Sequence, residues 1–290
     1  MAESKYPSFL EMDIPPVSFA EARVHILPVE MEKSVSYGSG TSTGPRAILQ
    51  ASLQLEAFDG KYIPGRVGMH THEPIRCNGA EAEDDIEEIA RQVGGVIRKD
   101  GIPVILGGEH TVTLGALKSF CSCGKKIGVV QFDAHADLRD TYEDNRYSHA
   151  CVMRRVHEMG LPFLQIGIRS LSLAEDEFRR KNAVKSLDAA AIYSGGIPAE
   201  VLPDDFPCDI YITFDVDCFD ASIMPATGTP EPGGLTWYQV MEMLEKISSG
   251  RRICGCDIVE LAPIPGMHAP DFTAAKLAYM LIGLAVKKGK

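Results

Sequence analysis

Four apolar runs in this chain end abruptly in acids or histidines. PVILGG (103–108) runs into Glu109 and His110. KIGVVQF (126–132) runs into Asp133, His135 and Asp137, with Asp140 close behind. DIYITF (209–214) runs into Asp215 and Asp217, and RICGCDIV (252–259) into Glu260. Runs this rich in Ile and Val, with little polar alternation, read as strands buried on both faces of a parallel sheet. In open sheets of that kind, sites gather outside the carboxyl ends of the strands. The charge stands where such a site is expected.

Two further runs, RVHILPV (23–29) and FLQIGIR (163–169), complete the predicted strands. Helical patterns fall between them. Residues 80–99 place Ile86, Ile89, Val93 and Val96 or Ile97 on one face. Residues 236–250 open with Thr236 as an N-cap and end on Gly250. Residues 272–288 close the chain with lysines in the last turn. This alternation predicts a single α/β domain over residues 1–290, with a parallel β-sheet, helices on both faces, and residues 1–22 as an N-terminal arm.

The net charge of −11, with no block of Lys or Arg, argues against a nucleic-acid partner and suits a cationic small molecule. MAESKYPSFLEMDIPP lacks the basic-then-apolar pattern of a secretory signal. LAYMLIGLAV (277–286) has about half the roughly 20 residues that span a bilayer, so no membrane partner is expected. None of the eight cysteines forms a CxxC pair. Cys254 and Cys256, in RRICGCDIVEL, read as small buried thiols. A chain of this length needs no disulfide staples, so reduced thiols and a cytoplasmic location are expected.

Side chains at i and i+2 of a strand share a face, so Asp133 can converge with His135 and Asp215 with Asp217. Four carboxylates held at the mouth of a core repel one another and lose solvation. A metal is the direct remedy. His110, Asp133, His135, Asp137, Asp215 and Asp217 are too many ligands for one catalytic ion and suit two, with carboxylates bridging. Four negative charges balance two divalent cations, which in such centres sit about 3.5–4 Å apart. Oxygen ligands with two imidazoles and no thiolate favour two manganese ions over zinc, other first-row metals being possible. Singly, each motif has a plainer reading: an Asp-x-Asp after a strand also caps a helix or makes a turn. Their repetition after separate strands carries the metal reading.

The set GGEH (107–110), DAHADLRD (133–140), SHACVMRR (148–155), FDVDCFD (214–220), TGTPEPGGL (227–235) and DIVELAP (257–263) resembles the ureohydrolase family, which includes arginase, agmatinase, formiminoglutamase and guanidinobutyrase. GTSTGPRAILQAS (40–52) resembles the family's GP-x-A-I-R-x-A-S segment. The match covers roughly residues 35–285. Glu109 stands where Asp is common, Ala150 where many agmatinases have Gly, and Ala221 and Ala226 where Pro and Gly are usual. The resemblance implies an arginase-like fold, a dinuclear manganese centre, and hydrolysis of a guanidine to urea and an amine. It assigns one metal to His110, Asp133, Asp137 and Asp215, and the other to Asp133, His135, Asp215 and Asp217. It also implies a homo-oligomer, a trimer or hexamer.

Guanidinium is a poor electrophile, and two metals supply a strong nucleophile at neutral pH by acidifying a bridging water. The resemblance makes His149 the shuttle that protonates the leaving amine, and Glu260 the carboxylate that pairs with the guanidinium. Thr229 is a weaker candidate for holding Glu260 or the substrate. In LRDTYEDNRYSHA (138–150), Asp140, Glu143 and Asp144 suit an amine better than a carboxylate, while Arg139 and Arg146 dilute that argument. Agmatine, giving putrescine and urea, is the favoured substrate. Guanidinobutyrase or arginase activity is the alternative, Arg139 and Arg146 serving a carboxylate tail. A single-zinc deacetylase on this fold would call for a His-His pair, which the chain lacks, and a non-catalytic guanidine binder would be expected to have lost ligands. His70 and His72, in GMHTHEP, read as a loop near the pocket rather than an accessory metal site. His25 reads as core, and His157 and His268 carry no partner signal.

Overall fold

The computed structural model describes residues 6–287. Within them run nine strands: β1 (Val24–Glu30), β2 (Met69–Thr71), β3 (Ile75–Arg76), β4 (Ile102–Leu106), β5 (Gly128–Phe132), β6 (Phe163–Ile166), β7 (Lys185–Leu187), β8 (Asp209–Asp215) and β9 (Arg252–Val259). Every pairing is parallel, in the order β2-β1-β4-β9-β8-β5-β6-β7, with β3 also beside β1. Eight helices connect them: α1 (Gly44–Ser52), α2 (Ala82–Ile97), α3 (Val112–Ser122), α4 (Val152–Glu158), α5 (Leu173–Lys181), α6 (Ala189–Gly195), α7 (Trp237–Ser248) and α8 (His268–Val286).

Alternate strand side chains face opposite layers. Val104 and Leu106 of β4, Val130 and Phe132 of β5, and Ile212 and Phe214 of β8 enter a core completed by α1, α7 and α8. Ile105, Val129 and Tyr211 enter a second core with α2, α3 and α4. Helices therefore cover both faces, which is why the strands show no polar alternation. The four strands whose ends carry charge, β4-β9-β8-β5, are consecutive at the centre of the sheet.

The predicted strands form, with two informative differences. The i, i+2 argument places Asp133 and His135 on one strand, but β5 stops at Phe132, so Asp133, His135 and Asp137 lie beyond it. A loop, not a shared strand face, brings them together, and Asp217 likewise lies past the end of β8, in the 3₁₀ turn Val216–Cys218. Three strands have no sequence signal, because MHT, IR and KSL are too short and polar to show a period.

Thr236 caps α7 as expected: its hydroxyl accepts the Gln239 N–H, and the Gln239 side chain accepts the Thr236 N–H in return. α8 begins at His268, a turn before residue 272, and its last turn holds no lysine. Lys287 follows the helix as its C-cap, and residue 288 lies outside the described residues. At 19 residues, with mean hydropathy 1.2, α8 is long and apolar enough by composition to cross a membrane. Here Leu277, Ala278, Leu281 and Ile282 are buried in the first core, so packing accounts for that apolarity. The described part of the N-terminal arm packs on the domain. Phe9 and Leu10 are buried, and their N–H groups donate to Thr71 Oγ1 (2.9 Å) and Ser52 Oγ (3.0 Å). Residues 1–5 of that arm lie outside the described residues.

His70 and His72 are not in a loop near the pocket. His70 belongs to β2, in register with the buried His25 of β1, at the amino end of the sheet. The carboxyl end holds the candidate site.

Candidate metal centre

The turn after β4 passes close under β1. A Cβ on Gly108 would lie 1.9 Å from the Met31 carbonyl oxygen, so only glycine permits the path that presents Glu109 and His110. After β5 the chain reverses at Asp137, whose φ is 51°. Its carbonyl accepts N–H groups from Met153 (2.9 Å) and Arg154 (3.1 Å), in the first turn of α4. After β9, Glu260 also adopts a left-handed φ, 64°, and its N–H donates to Gly108 O at 2.9 Å. Two non-glycine residues held in this sparsely populated region, both facing one crevice, mark a place where backbone strain serves side-chain position.

The six predicted residues come together there. His110 Nδ1 lies 3.2 Å from Asp133 Oδ2, 3.0 Å from Asp137 Oδ2 and 3.7 Å from Asp215 Oδ2. His135 Nδ1 lies 2.9 Å from Asp217 Oδ2 and 3.7 Å from Asp133 Oδ1. Asp133 thus turns one oxygen to each group. His110, Asp133 and Asp137, and again Asp133, His135 and Asp217, place ligand atoms within 4.8 Å of one another. Asp215 Oδ1 accepts the Asp217 N–H at 2.9 Å, which leaves Oδ2 toward His110.

The electrostatics call for cations. Burial, then Asp137 and Asp217, pushes Asp133 up to about 7. Burial and the charges of Asp217 and Asp133 push Asp215 well above the carboxylate range. Burial works against a charged His135, but Asp217 and the neighbouring carboxylates outweigh it and raise the imidazole to about 10.

His110 supplies a direct test of fit. Thr113 donates to Asp257 Oδ2 (2.8 Å), Thr213 Oγ1 lies 3.1 Å from Thr113 Oγ1, and His110 Nε2 lies 2.9 Å from Thr213 Oγ1. Because the chain ends on a carboxylate, its donors all point toward Asp257, and Nε2 carries the hydrogen. In the neutral ring Nδ1 is then a lone pair, buried and facing the Asp133 and Asp137 oxygens at 3.2 and 3.0 Å. Burial works against a charged ring, but hydrogen bonds to Asp133 and Asp137 outweigh it and raise His110 well above the ordinary imidazole value, so without metal a second proton sits at Nδ1. A divalent cation can take that proton's place, and the residues fit divalent metals.

Above the cluster opens a pocket of about 260 Å³, walled in part by Ser34, Ser36, Tyr142, His149, Thr229 and Glu260. Glu260 Oε1 accepts the His110 N–H at 2.6 Å; burial and the Glu109 charge raise its carboxyl well above the usual range. His149 stands in a 3₁₀ turn before α4, its Nε2 2.9 Å from Ser36 Oγ. Of the charged residues read from the 138–150 loop, Arg139 reaches the pocket wall, whereas Asp140, Glu143 and Asp144 are exposed and do not line it. Nor do the arginines pair with those acids. Arg139 lies 3.9 Å from Glu175, and Arg146 bonds Glu158 at 2.9 Å.

Sequence reasoning missed the supports. Arg169 donates to the carbonyls of Asp217 (2.7 Å), Glu231 (2.8 Å) and Pro232 (3.0 Å), tying the turn after β8 to the 227–235 loop. Thr213 and Asp257 are partners in the β8–β9 register, visible in the sequence only as polar residues inside apolar runs.

A model of the arginase family matches residues 22–283. The chain is 36% identical over 275 residues to the N(1)-aminopropylagmatine ureohydrolase of Synechocystis sp., covering 92% of this chain and 90% of that one. It is 33% identical over 294 residues to the agmatinase of Pyrococcus horikoshii, covering 97% and 98%. The crystal structure of agmatine ureohydrolase of Thermoplasma volcanium superposes with a TM-score of 0.84 at 28% identity, over 99% of this chain and 94% of that one. With the fold, the acid cluster and these relatives in agreement, the chain belongs to the arginase family and is a ureohydrolase, an enzyme acting on guanidino compounds.

Proposed function

We propose that this enzyme hydrolyses agmatine to putrescine and urea. The observation that carries the reading is the two-sided Asp133 carboxylate beneath a pocket that also presents Glu260. His110, Asp133, Asp137 and Asp215 would hold one divalent ion, and Asp133, His135, Asp215 and Asp217 the other. The oxygen-rich set suits manganese. When bound, such a pair supplies Lewis acidity and a water acidic enough to ionise near neutral pH.

The chain's own residues do the rest. Glu260 pairs with the planar guanidinium and so fixes orientation as well as charge. Its raised affinity for a proton is that of a buried carboxylate awaiting a cation, and a guanidinium is one. His149 delivers a proton from Nε2 to the departing amine nitrogen. Thr229 helps wall the same space.

Agmatine is supported by the Pyrococcus horikoshii relative named agmatinase, which is 33% identical across 97% of this chain. A carboxylate-tailed substrate would need a cation, and the arginine at the wall, Arg139, is already near Glu175 and over the Tyr142 ring. A second reading, N(1)-aminopropylagmatine as substrate, draws on the names of relatives at 35–36% identity. The test is urea release by manganese-loaded protein given agmatine, N(1)-aminopropylagmatine, arginine and 4-guanidinobutyrate. Agmatine is expected to give the highest kcat/KM. A higher value for the aminopropyl compound establishes the second reading, and no urea from any of the four sinks both.

A further inference from the structure

We propose that Glu109, acting through Ser34, is a positioning residue that decides which imidazole nitrogen of His149 exchanges its proton. The proposal rests on the reading of His149 as proton donor. Glu109 is fully buried, next to His110 in sequence but not one of the clustered ligands. Its Oε2 accepts the N–H groups of Lys33 and of Ser34, the latter at 2.6 Å. Its Oε1 accepts the Ser34 hydroxyl at 2.9 Å. Lys33 anchors this strap from the other side, its ammonium 2.7 Å from Asp85.

A hydroxyl has one hydrogen. Having given it to Glu109, Ser34 Oγ has only lone pairs left. His149 meets them twice, with its backbone N at 3.0 Å and its Nδ1 at 3.1 Å. Ser148 Oγ, 3.3 Å from Nδ1, can share that hydrogen. Nδ1 therefore keeps its hydrogen whether the ring is neutral or charged, and Nε2 becomes the atom that gains and loses one.

The other side of the ring is built differently. Nε2 faces Ser36 Oγ at 2.9 Å. Ser36 is exposed, and among the described residues no carboxylate pins its hydroxyl, so it can donate to a neutral Nε2 or accept from a protonated one. The Tyr142 ring stands edge-on to the imidazole, 5.8 Å between centroids, which restricts rotation of the ring. One nitrogen is thus fixed and the other left adaptable. That is the arrangement a proton donor at Nε2 requires.

The test is Glu109→Gln. Two backbone N–H groups hold the position of Oε2, so the amide oxygen takes that place and the NH2 group faces Ser34. Ser34 then accepts from the amide and turns its own hydrogen to His149 Nδ1, reversing the ring's tautomer. In metal-free, 15N-histidine-labelled protein, the His149 nitrogen shifts should change from Nδ1–H to Nε2–H. In the manganese-loaded enzyme, kcat for urea release should fall on the order of 10²-fold, the lower end of what general acid–base catalysis contributes, with KM little changed. An unchanged tautomer or an unchanged kcat overturns the proposal. Ser34→Thr, which keeps the hydroxyl, and Ser34→Ala, which removes it, decide the matter independently should Glu109→Gln fail to fold. Thr should retain most of kcat and Ala should lose about as much as Glu109→Gln, while equal values for the two overturn it. His149→Phe separates the two claims. If it keeps normal kcat, the assignment of His149 itself is wrong; if it loses kcat while Glu109→Gln does not, only the role of Glu109 is wrong.

Discussion

Histidines cluster at both ends of this sheet, and the two clusters behave as opposites. At the carboxyl end, carboxylates surround the rings, and His135 is raised to about 10 despite burial, chiefly by Asp217. At the amino end, the neighbours are other imidazoles and Phe19. His25 Nδ1 lies 3.1 Å from His72 Nε2, His70 Nδ1 lies 2.9 Å from the Val17 carbonyl, and the Phe19 ring stands against all three. Burial, and then the other histidines, lowers His25 and His72 to about 4. An HxH spacing resembles a metal motif, yet here it makes a packed aromatic corner. Acids at the ends of buried strands, not clustered imidazoles, make the candidate cation site.

The largest effect should come from the residue that joins the two metal groups. Asp133→Asn removes a charge that both share. Metal content and urea release should fall together, by more than the roughly 10–100-fold cost of losing a residue that only orients a metal ligand. Elemental analysis beside the urea assay checks this. A variant that kept two ions per chain would break the proposed bridge.

A smaller effect should follow metal removal, with a definite dependence on pH. In the metal-free fold Asp133 is raised to about 7 from 3.8, so the unfolded chain ionises it first and stability is lost as pH rises between those values. His135, raised to about 10 from 6.5, contributes stability that is full below 6.5 and lost as pH rises through 10. Both act in the same direction. The melting temperature of the metal-free protein should fall as pH is raised from 5 to 9, and the gap to the manganese-loaded form should widen. A gap independent of pH would mean that the acid cluster is relaxed without metal.

The site was legible in sequence to the extent that its residues sit next to strong strand signals. His110, Asp133, Asp215 and Glu260 follow apolar runs directly, and α/β topology alone gathers such ends. The assembly mechanism was less legible. Asp137 reaches His110 through a left-handed backbone that no residue pattern announces. The support of His110 by Thr213, Thr113 and Asp257 depends on strand register and on a helix docking against it, both tertiary facts. The amine preference read from Asp140, Glu143 and Asp144 was misplaced for the same reason. A run of acids shows charge, whereas which way a loop turns decides whether that charge meets a pocket.

The smallest effect should be at the amino end, where His72→Phe sharpens the contrast. Its pKa of about 4 lies below the ordinary 6.5, so the unfolded chain takes up the proton first and stability is lost as pH falls from 6.5 through 4. Phenylalanine cannot titrate. The melting temperature of the variant relative to the unmodified chain should therefore rise on acidification from pH 7 to 4, on the order of a few degrees. That sign is opposite to the one expected around Asp133. Metal content and urea release at pH 8 should stay unchanged, because the cluster lies at the other end of the strands. If His72→Phe lost metal, the amino-end histidines would have to be counted as part of a cation site, and the contrast between the two ends would not hold.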